Sequence, residues 1–193
     1  MNPSRESAIA ATNWWLENVV IGLNLCPFAK AVHLKNQIRF RVSSARNNTE
    51  LMNDFQCELQ FLMDADPEDV ESTLLIHPGV LNDFANYNMF LVECDQTISK
   101  LDFEGAIQVA SFHPQYQFEG TQMDDVTNYT NRSPYPTLHL LREESVTRAV
   151  ESFPNVESIY KKNITTLEKL GTASMLALLA TQPSTERRTP LNE

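Results

Sequence analysis

The sequence lacks the features that mark several large classes of protein. No apolar run approaches the roughly 18 residues that a membrane-spanning helix needs. Glycine accounts for only 5 of 193 residues, below the usual ~7%, which argues against collagen-like and repetitive β architectures. The motifs Gly-x-Gly-x-x-Gly and Gly-x-x-x-x-Gly-Lys-Ser/Thr are also missing, so the common nucleotide-binding loops are not expected.

Cysteine is scarce and follows no pairing pattern. The three cysteines are Cys26, Cys57 and Cys94, and no Cys-x-x-Cys pair occurs, so neither a disulfide framework nor an ordinary zinc module is expected. The N-terminus lacks the basic start and apolar core of a secretory signal. We therefore expect a reduced, cytoplasmic protein, in which Cys57 and Cys94 lie within helix patterns and have no chemical role.

Negative charge dominates what is present. The net charge is −10, and residues 50–104 contain thirteen acidic residues but only one basic residue, Lys100. So acidic a segment argues against binding to a phosphate backbone, and we expect no nucleic-acid partner. The ordinary interpretation is solvated helix faces, and the alternative is a surface for a basic partner or a cation.

Hydrophobic periodicity predicts an α/β fold. Ile38, Phe40 and Val42 alternate with polar residues as in a half-buried strand, and Pro27 can begin a short helix through His33. The main predicted elements are a helix over 5–20, a strand over 38–42, a helix over 49–63, a strand over 73–76, a helix over 84–101 and a strand over 106–112. This β-α-β-α-β order predicts a small, mostly parallel sheet with flanking helices, in one domain over residues 1–181.

The last third of the chain is harder to interpret. Residues 113–135 have no clear period and include several aromatic residues, which predicts a long functional loop or a missed element. Pro136 can begin a helix running to Ser152, although residues 137–141 also fit a strand. Further helix is predicted over 159–170, with Gly171 as its end, and over 175–180, and residues 182–193 are expected to be a disordered tail.

Several segments together resemble one known family. They are Trp15-Leu16 with Val20-Ile-Gly-Leu-Asn-Leu-Cys-Pro-Phe-Ala29, Thr73-Leu-Leu-Ile-His-Pro78, Ala110-Ser-Phe-His-Pro-Gln-Tyr-Gln-Phe118, Asn128-Tyr-Thr-Asn-Arg-Ser-Pro-Tyr-Pro136 and Leu138-His-Leu-Leu-Arg-Glu143. Over roughly residues 10–171 the chain resembles the bacterial family called domain of unknown function 1415. The resemblance implies common ancestry but names no reaction, so the function must be argued from the residues.

Two histidines directly follow predicted strands. His77 and His113 each begin a His-Pro pair after strands 73–76 and 106–112, and ligands bind beyond the carboxyl ends of strands in open α/β sheets. If these strands are neighbours, about 5 Å apart, both imidazoles reach one group and suit acid–base catalysis. The alternative is that each histidine caps its strand end and bonds to the local backbone.

Two arginines are candidates for binding an anion. If a helix begins at Pro136, its free N–H groups, Asn131 and Arg132 face one place, which favours a phosphate or carboxylate. Arg142 follows His139 by three residues and shares its face if the helix forms. The alternative is a structural ion pair with Glu143, Glu144 or Asp125.

Cys26 is the most plausible reactive cysteine. A helix N-terminus and Lys30, one turn further on, would favour its thiolate, and the alternative is an inert buried thiol. Metal binding is the rival use of these groups, because His77, His113, His139 and Cys26 are suitable ligand types. No ligand spacing supports a metal site, so we predict none, and the sequence identifies no cofactor.

Two functions follow from these residues. The first is an enzyme acting on a small anionic metabolite, with His113, His77 and Cys26 as catalytic groups. Its substrate would be held by Asn131, Arg132, Arg142 and His139 and walled by Tyr116 and Phe118, all converging in a cleft of roughly 300–1,000 Å³. The alternative is a non-catalytic protein that binds a metal, a ligand or a partner. We expect no membrane partner, and the sequence leaves the oligomeric state open.

Overall fold

The computed structural model describes residues 3–151 and 157–182. In chain order, the first half contains α1 (Arg5–Trp15), a π-helix (Leu16–Ile21), α2 (Ala29–Leu34), β1 (Ile38–Val42), α3 (Asn48–Asp64) and β2 (Ser72–Ile76). The second half contains α4 (Phe84–Lys100), β3 (Ile107–Phe112), a 3₁₀-helix (Val126–Thr130), β4 (Thr137–Arg142), α5 (Glu143–Glu151) and α6 (Glu157–Leu179). The expected α/β class and its first three strands are confirmed.

The four strands form one mixed sheet in the order β1-β2-β4-β3. β1 pairs with β2 in parallel, whereas β4 lies antiparallel between β2 and β3. The prediction of a mostly parallel sheet is therefore wrong in detail, because the strand interpretation of residues 137–141 holds and the helix interpretation does not. Pro136 therefore precedes β4, which forms hydrogen bonds with β2 along one edge and with β3 along the other.

Side-chain caps set the starts of the main helices. The Asn47 side chain accepts a hydrogen bond from the Glu50 N–H (2.9 Å), and the Glu50 carboxylate accepts one from the Arg46 N–H (2.8 Å). At the start of α4, the Asp83 carboxylate accepts from the Asn86 N–H (2.9 Å). Each cap satisfies an N–H that has no partner within the helix, which explains why the periodic segments begin where they do.

Hydrophobic packing covers both faces of the sheet. On the first face, α3 and α4 pack buried side chains such as Phe55 and Phe90 against Leu75, Leu138 and Leu140. The second face is covered by α1, the π-helix and α6, whose buried residues include Trp15, Leu16, Val19, Leu167 and Met175. No described helix is long and apolar enough to cross a membrane.

The predicted helix ending at Gly171 is visible as a break within α6. Gly171 has φ +74° and ψ 158°, a conformation that glycine adopts readily and other residues rarely do. The helical segments before and after it match the predictions for 159–170 and 175–180. Except for Gln182, the expected disordered tail lies outside the described residues.

Candidate functional site

The two histidines that follow β2 and β3 are separated by another strand. The condition that these strands are neighbours is not met, because β4 lies between them. The ring of Tyr87 bridges the gap, with its centroid 5.8 Å from that of His77 and 5.1 Å from that of His113. The Tyr87 hydroxyl donates to the Thr137 carbonyl (2.8 Å) and accepts from the Phe112 N–H (3.2 Å), so the tyrosine ties β4 to β3.

Both imidazoles bond to the backbone of the connection between β2 and α4. His113 Nδ1 accepts from the Gln115 N–H (3.0 Å), so its proton lies on Nε2, which donates to the Leu81 carbonyl (3.0 Å). His77 Nδ1 donates to the Val80 carbonyl (3.2 Å). Both side chains are fully buried. These partners favour a structural role, in which each histidine holds the connection in place.

Burial sets the protonation state of both histidines. Desolvation lowers the pKa of His77 to about 4; the hydrogen bond to the Val80 carbonyl opposes this shift, and the nearby His113 adds to it. Desolvation likewise lowers the pKa of His113. Both rings are therefore neutral near pH 7, because the reference pKa of histidine is about 6.5.

Arg132 anchors the segment that contains it. Its Nε donates to the Tyr116 carbonyl (3.0 Å), Nη2 donates to the Met123 carbonyl, and the guanidinium lies 4.9 Å from the centre of the Tyr129 ring. Asn131 is also engaged, since its Nδ2 donates to the Ser111 carbonyl (3.0 Å). The expected helix N-terminus beside them is replaced by β4.

Arg142 closes the end of α3. Its Nη2 donates to the carbonyls of Leu62 (2.6 Å), Ala65 (2.7 Å) and Val70 (3.2 Å). The C-terminus of a helix carries partial negative charge, so a guanidinium is stabilising there. The expected shared face with His139 is wrong, because residues three apart on a strand point to opposite faces of the sheet.

Tyr116 and Phe118 belong to a row of packed rings. The centroid of Tyr116 lies 5.0 Å from that of Phe84 and 4.9 Å from that of Phe118, and Phe118 lies 6.2 Å from Tyr160. These are ordinary distances for aromatic pairs. The row joins the segment after β3 to α4 on one side and to α6 on the other.

His139 and Cys26 meet elsewhere, at an apolar cavity on the second face of the sheet. The cavity has a volume of about 280 Å³, and its walls include Trp15, Leu16, Val20, Leu74, Ala110 and Phe112. We call it the sheet-face cavity. Sequence reasoning missed it, although the alternation of Leu138, His139 and Leu140 was a signal that His139 points away from the first core.

The sheet-face cavity contains polar groups without partners. Within the described residues, Nε2 of His139 and Nε1 of Trp15 are buried and have no hydrogen-bond partner. Desolvation lowers the pKa of His139 to about 4, so its ring is neutral near pH 7. His139 as a whole is half-buried and lines the cavity, and Phe112 packs near its ring with a centroid separation of 6.1 Å.

The π-helix shapes one wall of the cavity. Leu16 and Val20 lie on it and line the cavity, and it ends at Gly22. A Cβ at Gly22 would lie only 2.4 Å from the Asn18 carbonyl oxygen. The chain then turns through residues 23–28, which brings the half-buried Cys26 to the cavity, and α2 starts slightly later than predicted.

The residues that line the cavity include a few polar ones, namely Glu71, Ser72, Gln108, Arg142 and Ser145. An apolar interior with few polar groups suits a small molecule that has an apolar body and one hydrogen-bonding group. Metal binding finds no support here, since no three His, Cys, Asp or Glu side chains in the described ranges are grouped as a metal site requires.

Comparison with known proteins gives one clear result. A family model described as protein of unknown function (DUF1415) matches residues 7–177. The search of curated proteins gave no match, and neither did the search of solved structures. Because the family model covers most of the chain and includes every wall of the sheet-face cavity, the expected resemblance is confirmed: the chain belongs to the DUF1415 family.

Proposed function

We propose that this protein binds a small, mainly apolar molecule in the sheet-face cavity, with His139 as its polar contact. The single observation that carries the proposal is His139, which lines a mainly apolar cavity and whose Nε2 is buried without a partner among the described residues. Burying a polar group without a partner is unfavourable, and such groups are rare in native proteins. A ligand that hydrogen bonds to the ring would remove this cost.

The size of the cavity limits the ligand. At about 280 Å³, it lies just below the roughly 300–1,000 Å³ of typical ligand sites, so a single aromatic ring with a short substituent fits better than a large metabolite. The neutral imidazole has one N–H donor and one acceptor nitrogen. It can therefore bind an alcohol or a phenol without needing a charge on either partner.

A second candidate function is catalysis at the same place. Cys26 and His139 both line the sheet-face cavity, and a thiol with an imidazole is a combination used in nucleophilic catalysis. Acid–base catalysis by His77 and His113 on an anionic substrate stays a prediction. The backbone partners of both imidazoles and of Arg132 and Arg142 weigh against it.

The binding proposal is tested with a pair of matched probes, phenol and toluene. Phenol offers one hydroxyl that toluene lacks, and a net hydrogen bond is worth roughly 0.5–1.5 kcal/mol, so phenol should bind about three to ten times more tightly. Binding is followed by NMR titration of the indole signal of Trp15 and the ring signals of His139. In the His139→Leu variant we expect the preference for phenol to disappear.

Two further variants serve as controls. Ala110→Phe places a ring beside His139, since Ala110 pairs with it across the strands, and should block both probes. Met89→Ala changes an exposed side chain on α4 and should leave both affinities unchanged. If the phenol preference survives in His139→Leu, or if the shifts map to the other face of the sheet, the proposal is wrong.

A further inference from the structure

A second depression lies beside the turn that follows the π-helix. It has a volume of about 420 Å³ and is bounded by Leu23, Asn24 and Pro27 on one side and by the first half of α6 on the other. We call it the lysine cleft, because Lys161, Lys162 and Lys169 all line it. Cys26, in the same turn, lines the sheet-face cavity instead, so the turn separates the two sites.

The charge of the lysine cleft opposes that of the molecule. The chain has 25 acidic residues and a net charge of −10, yet none of the described residues that line the cleft is acidic. Three of the six lysines in the sequence lie there. Within the described part of the chain, Lys161 and Lys169 form no ion pair. Positive charge gathered in a concave site attracts and concentrates anions.

The remaining walls suit an anion that carries an organic body. Thr166 provides a hydroxyl group and Asn24 provides an amide beside the lysine ammonium groups, whereas the Thr165 hydroxyl donates to the Lys161 carbonyl (3.0 Å). Leu23, Pro27 and Ile159 add apolar surface. Ammonium and hydroxyl donors bind phosphate oxygens through strong, charge-assisted hydrogen bonds, while the apolar residues can pack against a ring or chain.

We propose that the lysine cleft binds a small organic phosphate monoester. Arg132 and Arg142, the anion-binding residues predicted from the sequence, donate to backbone carbonyls in the fold, and the lysine cleft is a different site from theirs. Lys161 and Lys169 bind the phosphate group, and Leu23 and Pro27 contact the organic part. This site is independent of the sheet-face cavity, because the walls of the two sites share no residue.

The experiment is a titration of the full chain with phenyl phosphate, inorganic phosphate and benzyl alcohol, followed by backbone amide NMR. We expect phenyl phosphate to shift the signals of residues 23–27 and 158–169, and to bind more tightly than either of the other two. The double variant Lys161→Gln/Lys169→Gln should lose at least fivefold in affinity for phenyl phosphate. Added salt should weaken binding in the wild type more than in the double variant.

A matched control uses two lysines outside the cleft. The double variant Lys35→Gln/Lys100→Gln removes the same charge, so it should retain the wild-type affinity for phenyl phosphate. Circular dichroism checks that both double variants stay folded, which is expected because the four lysines are exposed. Equal losses in the two double variants would show a non-specific charge effect and overturn the proposal. So would the absence of shifts around the cleft at millimolar phenyl phosphate.

Discussion

At the scale of single residues, a neutral, buried histidine is costly to protonate. His77 is fully buried, donates from Nδ1 to the Val80 carbonyl and stacks on Tyr87. Its Nε2 is buried without a partner among the described residues. If Nε2 were protonated, the new N–H would have no hydrogen-bond acceptor. The charged imidazolium is therefore less favourable in the folded state than in the solvated unfolded chain.

His77 should make the free energy of unfolding depend on pH. Its pKa is about 4 in the folded protein and about 6.5 in an unfolded chain. Above pH 6.5 the ring is neutral in both states, and its stabilising effect is fully present. As the pH falls towards 4, only the unfolded chain takes up the proton, so stability is lost by up to ~3 kcal/mol.

Urea unfolding at a series of pH values between 7.5 and 4.5 measures this effect. Replacing His77 by Gln should reduce the pH slope of the unfolding free energy by about 1.4 kcal/mol per pH unit near pH 5, the value for one proton. His33→Gln is the control, since His33 lies at the surface beside Glu17 (3.1 Å). An unchanged slope in His77→Gln would show that His77 is protonated in the folded state.

At the scale of single elements, the π-helix is the most unusual feature. It continues α1 without a break for six residues, and such helices are rare and frequently lie at functional sites. Here it places Leu16 and Val20 against the sheet-face cavity. Gly22 follows it directly, where a side chain would collide with the Asn18 carbonyl.

Replacing Gly22 by Ala should therefore destabilise the protein. Helix propensity alone predicts a gain, because alanine is about 1 kcal/mol more favourable than glycine in a helix. The close contact at 2.4 Å predicts a net loss of ~1–3 kcal/mol, which is usual for an overpacked site. Thermal unfolding distinguishes the two outcomes.

Ala10→Gly in α1 provides the comparison for Gly22→Ala. Ala10 is exposed within α1, so this substitution should cost about 1 kcal/mol from propensity alone. If both variants are destabilised, the steric contact with the Asn18 carbonyl outweighs helix propensity at Gly22. Stabilisation by Gly22→Ala would mean that the π-helix relaxes to admit a side chain, and phenol binding in the sheet-face cavity should then change.

At the scale of the whole molecule, one sheet carries two hydrophobic cores. β2 and β4 are the inner strands and have partners on both sides, whereas β1 and β3 lie at the edges. All five side chains of β2, from Ser72 to Ile76, are buried, so both faces of this strand are covered. The first core includes Leu75, Leu138 and Leu140 of the inner strands, whereas the strand residues packed against the second core are Ile38, Phe40 and Phe112 of β1 and β3. Opening β2 or β4 breaks hydrogen bonds to two neighbouring strands, whereas opening β1 or β3 breaks those to one.

Hydrogen exchange should follow this arrangement. Amides of β2 (Ser72–Ile76) and β4 (Thr137–Arg142) should exchange only through global unfolding, while those of β1 and β3 exchange faster through local opening. Mass spectrometry of peptides that span each strand measures the order. If the β4 peptide exchanges faster than the β1 peptide, β4 does not hold the central position.

The sequence by itself determined the features that depend on local interactions along the chain. The strands at 38–42 and 106–112 and the helices that cover the first face were predicted, because one buried side of a helix or strand imposes a period on the residues. Family membership was predicted separately, from the resemblance of several sequence segments, and is confirmed. Single domain organisation over residues 1–181 stays a prediction.

Only the tertiary structure decided where the distant residues meet. The sequence of residues 137–141 allowed a helix or a strand. In the fold these residues form a strand because they pair with β2 on one side and β3 on the other. This pairing placed β4 between His77 and His113, and it placed His139 at the cavity that Cys26 and Arg142 also line. Strand pairing joins segments that are far apart in the chain, so no local sequence pattern predicts it. The contacts of these side chains depend on that pairing.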